Sequence, residues 1–215
     1  MTFRTPDRYP PQFAVDLVRL LAYLISKPLW FVRFNGKENI PAATDGGFVI
    51  ASNHQTYVDP VWICIPMRRH IRYLAIEKAF DWPIIGRLIR FLGAFPVKQI
   101  DGLSVSKIKV ALRSLRDGAA VIIFPEGARE FADGKMLPFK NGAVRLALQA
   151  GVPILPVTVS GGNRIWPRSQ KYPNLFTKVT ITYHPLLEFS PHPDESKVHL
   201  IEQWNELLER TIERG

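Results

Sequence analysis

Short, almost uninterrupted apolar runs are the feature that most constrains the fold of this chain. The clearest run spans residues 119–124 (Ala-Ala-Val-Ile-Ile-Phe), and similar runs occupy residues 48–52 and 152–159. A strand that is apolar on both faces belongs in a sheet covered on both sides, which is typical of parallel sheets. Segments with helical spacing of apolar residues separate these runs. The sequence therefore predicts an α/β fold, with a mixed, largely parallel central sheet flanked by helices.

The remaining elements follow from the periodicity of apolar residues and from helix-stop signals. Two further strands are expected at residues 71–76 and 178–183, where shorter β-type patterns occur. Helices are expected at residues 60–67, 82–92, 106–116 and 141–150, and an amphipathic helix is expected at the C-terminal end. Gly93, Gly118 and Gly151 stand just past three of these helices, as C-terminal caps do.

The N-terminal segment has the pattern of a helix that lies in a membrane interface. Its apolar side would carry Leu17, Leu20, Leu21, Leu24, Pro28 and Phe31, and its polar side Asp16, Arg19, Tyr23, Ser26 and Lys27. The longest uncharged run, residues 20–26, is far shorter than the roughly 20 residues that cross a bilayer. We therefore expect two units, an N-terminal amphipathic membrane-associating helical segment (1–40) and a domain that contains the sheet (41–215). Packing of the apolar stripe on the domain core is the alternative.

The charge of the chain indicates anionic partners. Lys and Arg number 28 and Asp and Glu number 19, a net charge of +9. Nucleic acid, an acidic lipid surface and phosphorylated substrates would all suit this excess. Residues 68–98 contain seven basic and two acidic residues, so a second basic stripe accompanies the helix expected at 82–92. The single cysteine, Cys64, excludes an internal disulfide and favours a reducing compartment. No secretory signal is recognisable at the start of the sequence.

A histidine and an aspartate follow the first buried run. In the segment Asn53-His-Gln-Thr-Tyr-Val-Asp59, His54 and Asp59 are five residues apart. Neither a helix nor a strand brings side chains at that spacing together, but a tight strand-to-helix turn can. A histidine that forms a purely structural hydrogen bond is one interpretation of His54. Asp59 precedes Pro60, so a role as helix N-cap is the structural alternative.

A second polar cluster follows the apolar run at residues 119–124. The segment Phe124-Pro-Glu-Gly-Ala-Arg129 places Glu126 and Arg129 at the carboxyl end of the predicted strand. Ligands of open α/β sheets bind outside these carboxyl ends. Gly127 lies between the two charged residues and allows the backbone to approach a ligand closely. An exposed ion pair in a polar turn is the alternative interpretation.

Together these segments resemble the glycerolipid acyltransferase family, typified by bacterial 1-acylglycerol-3-phosphate acyltransferases. Four sequence blocks carry the resemblance, in the order that the family has. They are Asn53-His54-x4-Asp59; Gly93-Ala-Phe-Pro-Val-Lys98; Phe124-Pro-Glu-Gly-Ala-Arg129, followed by Pro138-Phe-Lys-Asn-Gly142; and Val152-Pro-Ile-Leu-Pro-Val157. Two positions depart from the family pattern, since Ala128 replaces a threonine or serine and Lys98 replaces an arginine that many members have.

The resemblance implies an O-acyltransferase domain that produces phosphatidate from lysophosphatidate. Its catalytic residues would be His54 as general base and Asp59 as the group that orients it. The substrate-binding residues would be Lys98, Glu126, Gly127, Arg129 and Lys140, with the cations on the acceptor phosphate. Glu126 would accept a hydrogen bond from a glycerol hydroxyl or orient Arg129.

The expected partners follow from this reaction. The acyl donor would be acyl-CoA or acyl-carrier protein, and no metal, other cofactor or nucleic acid is expected. We expect a peripheral or monotopic protein on the cytoplasmic face of a membrane. Other acceptors remain open, namely glycerol 3-phosphate, another lysophospholipid or a lyso-aminolipid. A lysolipid or thioester hydrolase, and a non-enzymatic basic module, are alternatives from other functional classes.

Overall fold

The structure is a computed structural model that describes residues 9–97, 105–129, 135–167, 169–189 and 196–215. The strands are β1 (Arg33–Asn35), β2 (Phe48–Ser52), β3 (Ile71–Ile76), β4 (Phe95–Val97), β5 (Ala120–Ile123), β6 (Ile154–Ser160) and β7 (Thr180–Tyr183). The α-helices are α1 (Gln12–Trp30), α2 (Asp59–Cys64), α3 (Ile85–Phe91), α4 (Val105–Arg116), α5 (Gly142–Ala150), α6 (Gly162–Ile165) and α7 (Lys197–Glu213). Short 3-10 helices occupy Lys37–Asn39 and Glu77–Asp81.

The seven strands described form one sheet in the order β1-β7-β6-β2-β5-β3-β4. Of the described strand pairs, β6 with β7 is antiparallel and the others are parallel. The prediction of a mixed, largely parallel sheet is confirmed. β1 lies within the predicted N-terminal segment 1–40, yet it pairs with β7, from Arg33 opposite Thr180 to Asn35 opposite Thr182. That segment therefore contributes a strand as well as a helix.

Both faces of the sheet are covered, as the apolar runs predict. All five residues of β2 are buried. Phe48 and Ile50 pack on one side with Trp62 of α2, whereas Val49 and Ala51 pack on the other side with residues of α4, α5 and α7. The almost purely apolar character of β2 and β5 thus reflects their central position between two helical layers.

Three helices are shorter than the periodicity of the sequence predicts. α1 ends at Trp30 because Phe31 is left-handed (φ 42°) and the chain then enters β1. α3 begins at Ile85 rather than at residue 82, since Ile84 also has a positive φ of 68°. α2 ends at Cys64 because the next turn tightens, with the Met67 amide donating to the Cys64 carbonyl.

Helix α1 packs on the domain through its polar side. The Arg19 guanidinium donates two hydrogen bonds, of 3.1 and 2.9 Å, to the carbonyl of Ile65. The indole N–H of Trp62 donates to Ser26 Oγ at 3.1 Å, and the Trp30 ring packs edge-on against Trp62. The exposed side of α1 and its end carry the large apolar residues Phe13, Leu17, Leu20, Leu21, Leu24, Ile25 and Phe31. None of the helices within the described ranges has the length and apolar character needed to span a bilayer.

Candidate active site at the carboxyl edge of the sheet

The candidate site begins where β2 and β5 end side by side. These strands are parallel, and Ala51 lies opposite Ile123 in their register. The chain segments that follow the two strands therefore leave the same edge of the sheet next to each other. The register alone brings the block that contains His54 together with the block that contains Glu126.

The predicted His–Asp pair is formed. His54 Nδ1 lies 3.0 Å from Asp59 Oδ2. Asp59 is fully buried, and its Oδ2 also accepts hydrogen bonds from the backbone amides of Gln55 (2.6 Å) and Thr56 (2.7 Å). Its Oδ1 accepts the Thr56 hydroxyl at 2.6 Å. These donors stabilise a buried negative charge, so the carboxylate can hold the imidazole with Nδ1 protonated.

The helix-capping alternative for Asp59 does not describe its side chain. Asp59 is the first residue of α2, the N-cap position is Val58, and no side chain caps this helix. The carboxylate instead turns back toward the residues that precede the helix. Pro60 occupies the first turn, where its missing N–H costs no hydrogen bond. The strand-to-helix turn therefore serves the pairing of Asp59 with His54.

The second ring nitrogen of His54 faces away from Asp59. Across the described ranges, no residue makes a hydrogen bond to Nε2, and the His54 side chain is 19% exposed. The ring stacks on Phe124, with ring centroids 4.0 Å apart and planes inclined by 20°. The imidazole is thus fixed by a hydrogen bond and by an aromatic face. This arrangement leaves a basic nitrogen available to a hydroxyl group that enters the site.

Glu126 connects the two loops of the site. Its Oε1 accepts the backbone amide of His54 at 2.6 Å, and its Oε2 accepts that of Leu137 at 2.7 Å. The side chain is buried, and this burial raises its pKa, while the two amide donors and His54 act in the opposite direction. Both carboxylate oxygens are therefore occupied by backbone groups in this structure. These contacts assign Glu126 a positioning role, and its contact with substrate or with Arg129 stays a prediction.

The cations of the third block lie beside a glycine. Gly127 has a φ of 72°, which favours glycine, and a Cβ at this position would lie 2.9 Å from Lys140 Nζ. The Lys140 amide donates to the Pro125 carbonyl, so the segment before α5 folds back onto the loop. Arg129 lies with its Cζ 3.6 Å from the centroid of the Tyr57 ring. The structure thus brings Gly127 and Lys140 together, and it places Arg129 against the His54 block. Lys98 lies outside the described residues.

Asn53 and Gln55, to which the sequence assigned no role in the site, hold its loops in place. The Asn53 side chain donates to the Val159 carbonyl at 2.9 Å and accepts the Val159 amide at 2.7 Å, which fastens the end of β2 to β6. Gln55 Oε1 accepts the Gly162 amide at the start of α6. Both residues are neighbours of His54 in sequence, and their burial is the signal that identifies them.

Two further observations concern the single cysteine and the side chains that could bind a metal ion. Cys64 is buried in the core, and burial raises the pKa of its thiol to about 12. In the part of the chain that the structure describes, no group of three or more His, Cys, Asp or Glu side chains could hold a metal ion.

The fold and the site define a class of protein, an α/β domain with a hydrogen-bonded His–Asp pair at the carboxyl edge of its sheet. Comparison with known proteins identifies the family. The family model described as Acyltransferase matches residues 31–160, and the chain belongs to this family. The matched region contains both loops of the site.

Individual relatives carry a more specific name. The chain is 33% identical over 162 residues to the chloroplastic 1-acyl-sn-glycerol-3-phosphate acyltransferase BAT2 of Brassica napus, covering 75% of this chain and 46% of that protein. It is 35% identical over 131 residues to the 1-acyl-sn-glycerol-3-phosphate acyltransferase of Bacillus subtilis, covering 60% and 63%. The chain spans about half the length of the first curated relatives that it matches.

A solved structure agrees with these relatives. The crystal structure of the 1-acyl-sn-glycerophosphate (LPA) acyltransferase PlsC from Thermotoga maritima superposes with a TM-score of 0.71 at 27% identity. The superposition covers 94% of this chain and 78% of that one. The resemblance inferred from the four sequence blocks is thereby confirmed.

Proposed function

We propose that this chain is an O-acyltransferase that moves a fatty acyl group from an acyl thioester to the free hydroxyl of lysophosphatidate, giving phosphatidate. The observation that carries the proposal is the His54–Asp59 pair, whose Nε2 is free of hydrogen bonds from the described residues. The names of the relatives support lysophosphatidate as the acceptor.

The proposed reaction needs one base and no covalent enzyme intermediate. His54 Nε2 takes the proton of the acceptor hydroxyl as its oxygen attacks the thioester carbonyl carbon. The imidazolium that forms is stabilised by Asp59, which accepts the Nδ1 proton in a hydrogen bond. When the tetrahedral intermediate collapses, the C–S bond breaks and the imidazolium returns the proton to the departing thiolate. The products are an ester and a free thiol, either coenzyme A or the carrier protein.

The acceptor phosphate is assigned to the cations of the third block. A phosphomonoester carries close to two negative charges, so Arg129 and Lys140 suit it. Gly127 lets the phosphate approach the backbone, because its missing side chain leaves room that Lys140 partly occupies. Lys98 belongs to the same proposed set. Glycerol 3-phosphate carries the same phosphate, so acceptor assays have to distinguish the two compounds.

The lipid substrates are proposed to reach the site from a membrane surface. The outward side of α1 is apolar, and so is Phe31 at its end. On the polar side of α1, Arg19 and Ser26 form hydrogen bonds with the domain. α3 also exposes Ile85, Leu88 and Phe91 beside the basic residues Arg87 and Arg90. An apolar stripe with adjacent cations favours binding to an anionic leaflet. We propose that the protein is monotopic or peripheral, on the cytoplasmic face.

Product analysis tests the proposed function. Purified protein is incubated with lysophosphatidate, glycerol 3-phosphate, lysophosphatidylcholine or no acceptor, with either acyl-CoA or acyl-carrier protein as donor. We expect phosphatidate with lysophosphatidate, and loss of about 10²–10⁴-fold of the rate in His54→Ala. Free fatty acid released without an acceptor would identify a hydrolase. A folded His54→Ala protein with the parental rate would refute the base assigned here.

A further inference from the structure

We infer that residues 172–176, which follow α6, form a further lipid-contacting element beside α1, in addition to α3; this inference rests on the proposed membrane association. Tyr172, Leu175 and Phe176 are 71%, 48% and 69% exposed. Their backbone is nevertheless held in place. The Phe176 amide donates to the Leu29 carbonyl, and the Trp30 indole donates to the Asn174 carbonyl. The segment is thus fastened to the C-terminal end of α1 while its apolar side chains point outward.

Backbone conformation gives an independent reason for this assignment. Among the described residues, the non-glycine residues with positive φ are Phe31 (42°), Ile84 (68°) and Phe176 (59°). Residues with a Cβ disfavour this conformation, and bulky or β-branched ones rarely adopt it. All three are large, exposed apolar residues. In water these three residues combine an unfavourable backbone conformation with exposed apolar surface. A bilayer would bury their side chains.

The charge of the segment favours an anionic bilayer as the occupant. Between residues 160 and 187 the sequence has four basic residues and no acidic one. Lys171 and Lys178 flank the apolar residues and are exposed. Such cations beside apolar side chains suit the headgroup region of an anionic leaflet. The apolar surface of α1 continues through Phe31 to this segment, since Phe176 bonds to the end of the same helix.

Vesicle sedimentation tests the inference with a matched control. Leu175→Ser/Phe176→Ser should bind phosphatidylcholine vesicles that contain phosphatidylglycerol about tenfold more weakly than the parent protein. Val198→Ser/Leu207→Ser removes a comparable exposed apolar pair from α7 and should bind as the parent does. Equal binding by the parent and the 175/176 variant would overturn the inference. If Leu20→Asp/Leu24→Asp on α1 also binds normally, the membrane proposal itself fails.

Phe176→Gly separates lipid contact from a structural role. Glycine adopts positive φ without the steric cost of a side chain, so this variant should keep or raise the thermal midpoint while vesicle binding falls. A variant with a lowered thermal midpoint and unchanged binding would assign Phe176 to the fold and overturn its role at the membrane.

A different contact carries a second inference, that Tyr57 is a positioning residue for the acceptor phosphate; it rests on the proposed role of Arg129. The guanidinium of Arg129 lies over the Tyr57 ring at 3.6 Å. Stacking uses the face of the guanidinium and leaves its edge N–H groups free for a bidentate contact. No residue in the described ranges hydrogen-bonds to the Arg129 side chain. Arg129 is therefore held in place without using the donors that a phosphate needs.

The Tyr57 ring is itself fixed on two sides. It packs edge-on against Trp82 at 5.4 Å and Trp166 at 5.6 Å between ring centroids. Tyr57 follows Thr56, whose amide and hydroxyl both bind Asp59. The turn that holds the His–Asp pair therefore also supports the arginine. This connection links the position of the base to that of the acceptor phosphate.

Steady-state kinetics distinguish positioning from a structural role. Tyr57→Leu removes the aromatic face and should raise the KM for lysophosphatidate about 3- to 30-fold, with kcat and the KM for acyl-CoA within about twofold. Tyr57→Phe keeps the face and should match the parent. In an Arg129→Ala background, Tyr57→Leu should change nothing further. An unchanged KM in Tyr57→Leu, or an equal effect in both backgrounds, would overturn the inference. If Arg129→Ala alone leaves this KM unchanged, phosphate recognition by Arg129 fails.

Discussion

Replacing Asp59 by asparagine removes a charge from the site while keeping the shape of the side chain. The structure determines how the amide must orient. Three donors, His54 Nδ1 and the amides of Gln55 and Thr56, converge on Oδ2. An amide NH₂ at that position would face two backbone N–H groups at 2.6 and 2.7 Å. The amide oxygen therefore takes this position, and its NH₂ faces the Thr56 hydroxyl.

This orientation sets the magnitude of the expected loss. The amide oxygen still accepts the Nδ1 proton, so His54 keeps the tautomer in which Nε2 is the base. What is lost is the negative charge that stabilises the imidazolium. Hydrogen bonds to charged groups contribute about 1.5–3 kcal/mol, against about 0.5–1.5 kcal/mol for neutral ones. The difference of about 1–2 kcal/mol corresponds to a decrease in kcat of about 5- to 30-fold.

A double-mutant cycle measures this effect. Transfer rates are determined at saturating lysophosphatidate and acyl-CoA for the parent, Asp59→Asn, His54→Ala and the double variant, and each is checked for folding by circular dichroism. His54→Ala should lose about 10²–10⁴-fold. Because Asp59 acts through His54, Asp59→Asn should have no further effect in the His54→Ala background. An equal loss in both backgrounds would refute the assignment of Asp59 to the orientation of His54.

Three further perturbations follow from the site and from α1. Arg129→Ala should raise the KM for lysophosphatidate about 10- to 150-fold, and the KM for acyl-CoA much less, because charge-assisted hydrogen bonds contribute about 1.5–3 kcal/mol. Glu126→Gln places an NH₂ against one of two amide donors and should lower the free energy of unfolding by about 1–3 kcal/mol in urea titrations. Burial raises the pKa of Glu126 above 4.5, so the folded state binds the proton more tightly. The contribution of Glu126 to the free energy of unfolding therefore falls as pH rises above this value, and the glutamine variant should lack that slope. Leu20→Asp/Leu24→Asp should weaken binding to anionic vesicles by more than about tenfold without lowering the thermal midpoint, because both side chains are exposed.

The sequence predicts the sheet better than the limits of the helices. Almost uninterrupted apolar runs identified β2, β5 and β6, because such runs are typical of strands that are covered on both faces. The ends of α1 and α3 are set by positive φ at Phe31 and Ile84. Neither residue type favours that conformation, so the periodicity of apolar residues predicted a longer helix at both places.

The sequence predicts the contact between His54 and Asp59, but not the other contacts of the candidate site. The spacing of His54 and Asp59 led to the pair, because a strand-to-helix turn is the one local geometry that joins them. Glu126 is different, since a glutamate in a polar turn suggests contact with a ligand. Its two amide partners come from residues 72 positions before it and 11 after it. The register of β2 against β5 brings His54 to Glu126, whereas Leu137 comes later in the connection between β5 and α5.

The orientation of α1 follows from the same reasoning about hydrogen-bond partners. Periodicity shows two sides of this helix but does not tell which side faces the domain. Polar groups placed toward lipid would lack partners, and unsatisfied groups in hydrocarbon are costly. Arg19 donates to the Ile65 carbonyl, 46 residues away in sequence. Ser26 accepts a hydrogen bond from the Trp62 indole, 36 residues away. α1 is therefore attached to the domain by its polar side, and its apolar side faces outward, where the proposed membrane contact needs it. Because Trp30 and Val32 also lie in the core, deletion of the helix would damage the fold. Substitution of outward residues is the test that separates membrane binding from stability.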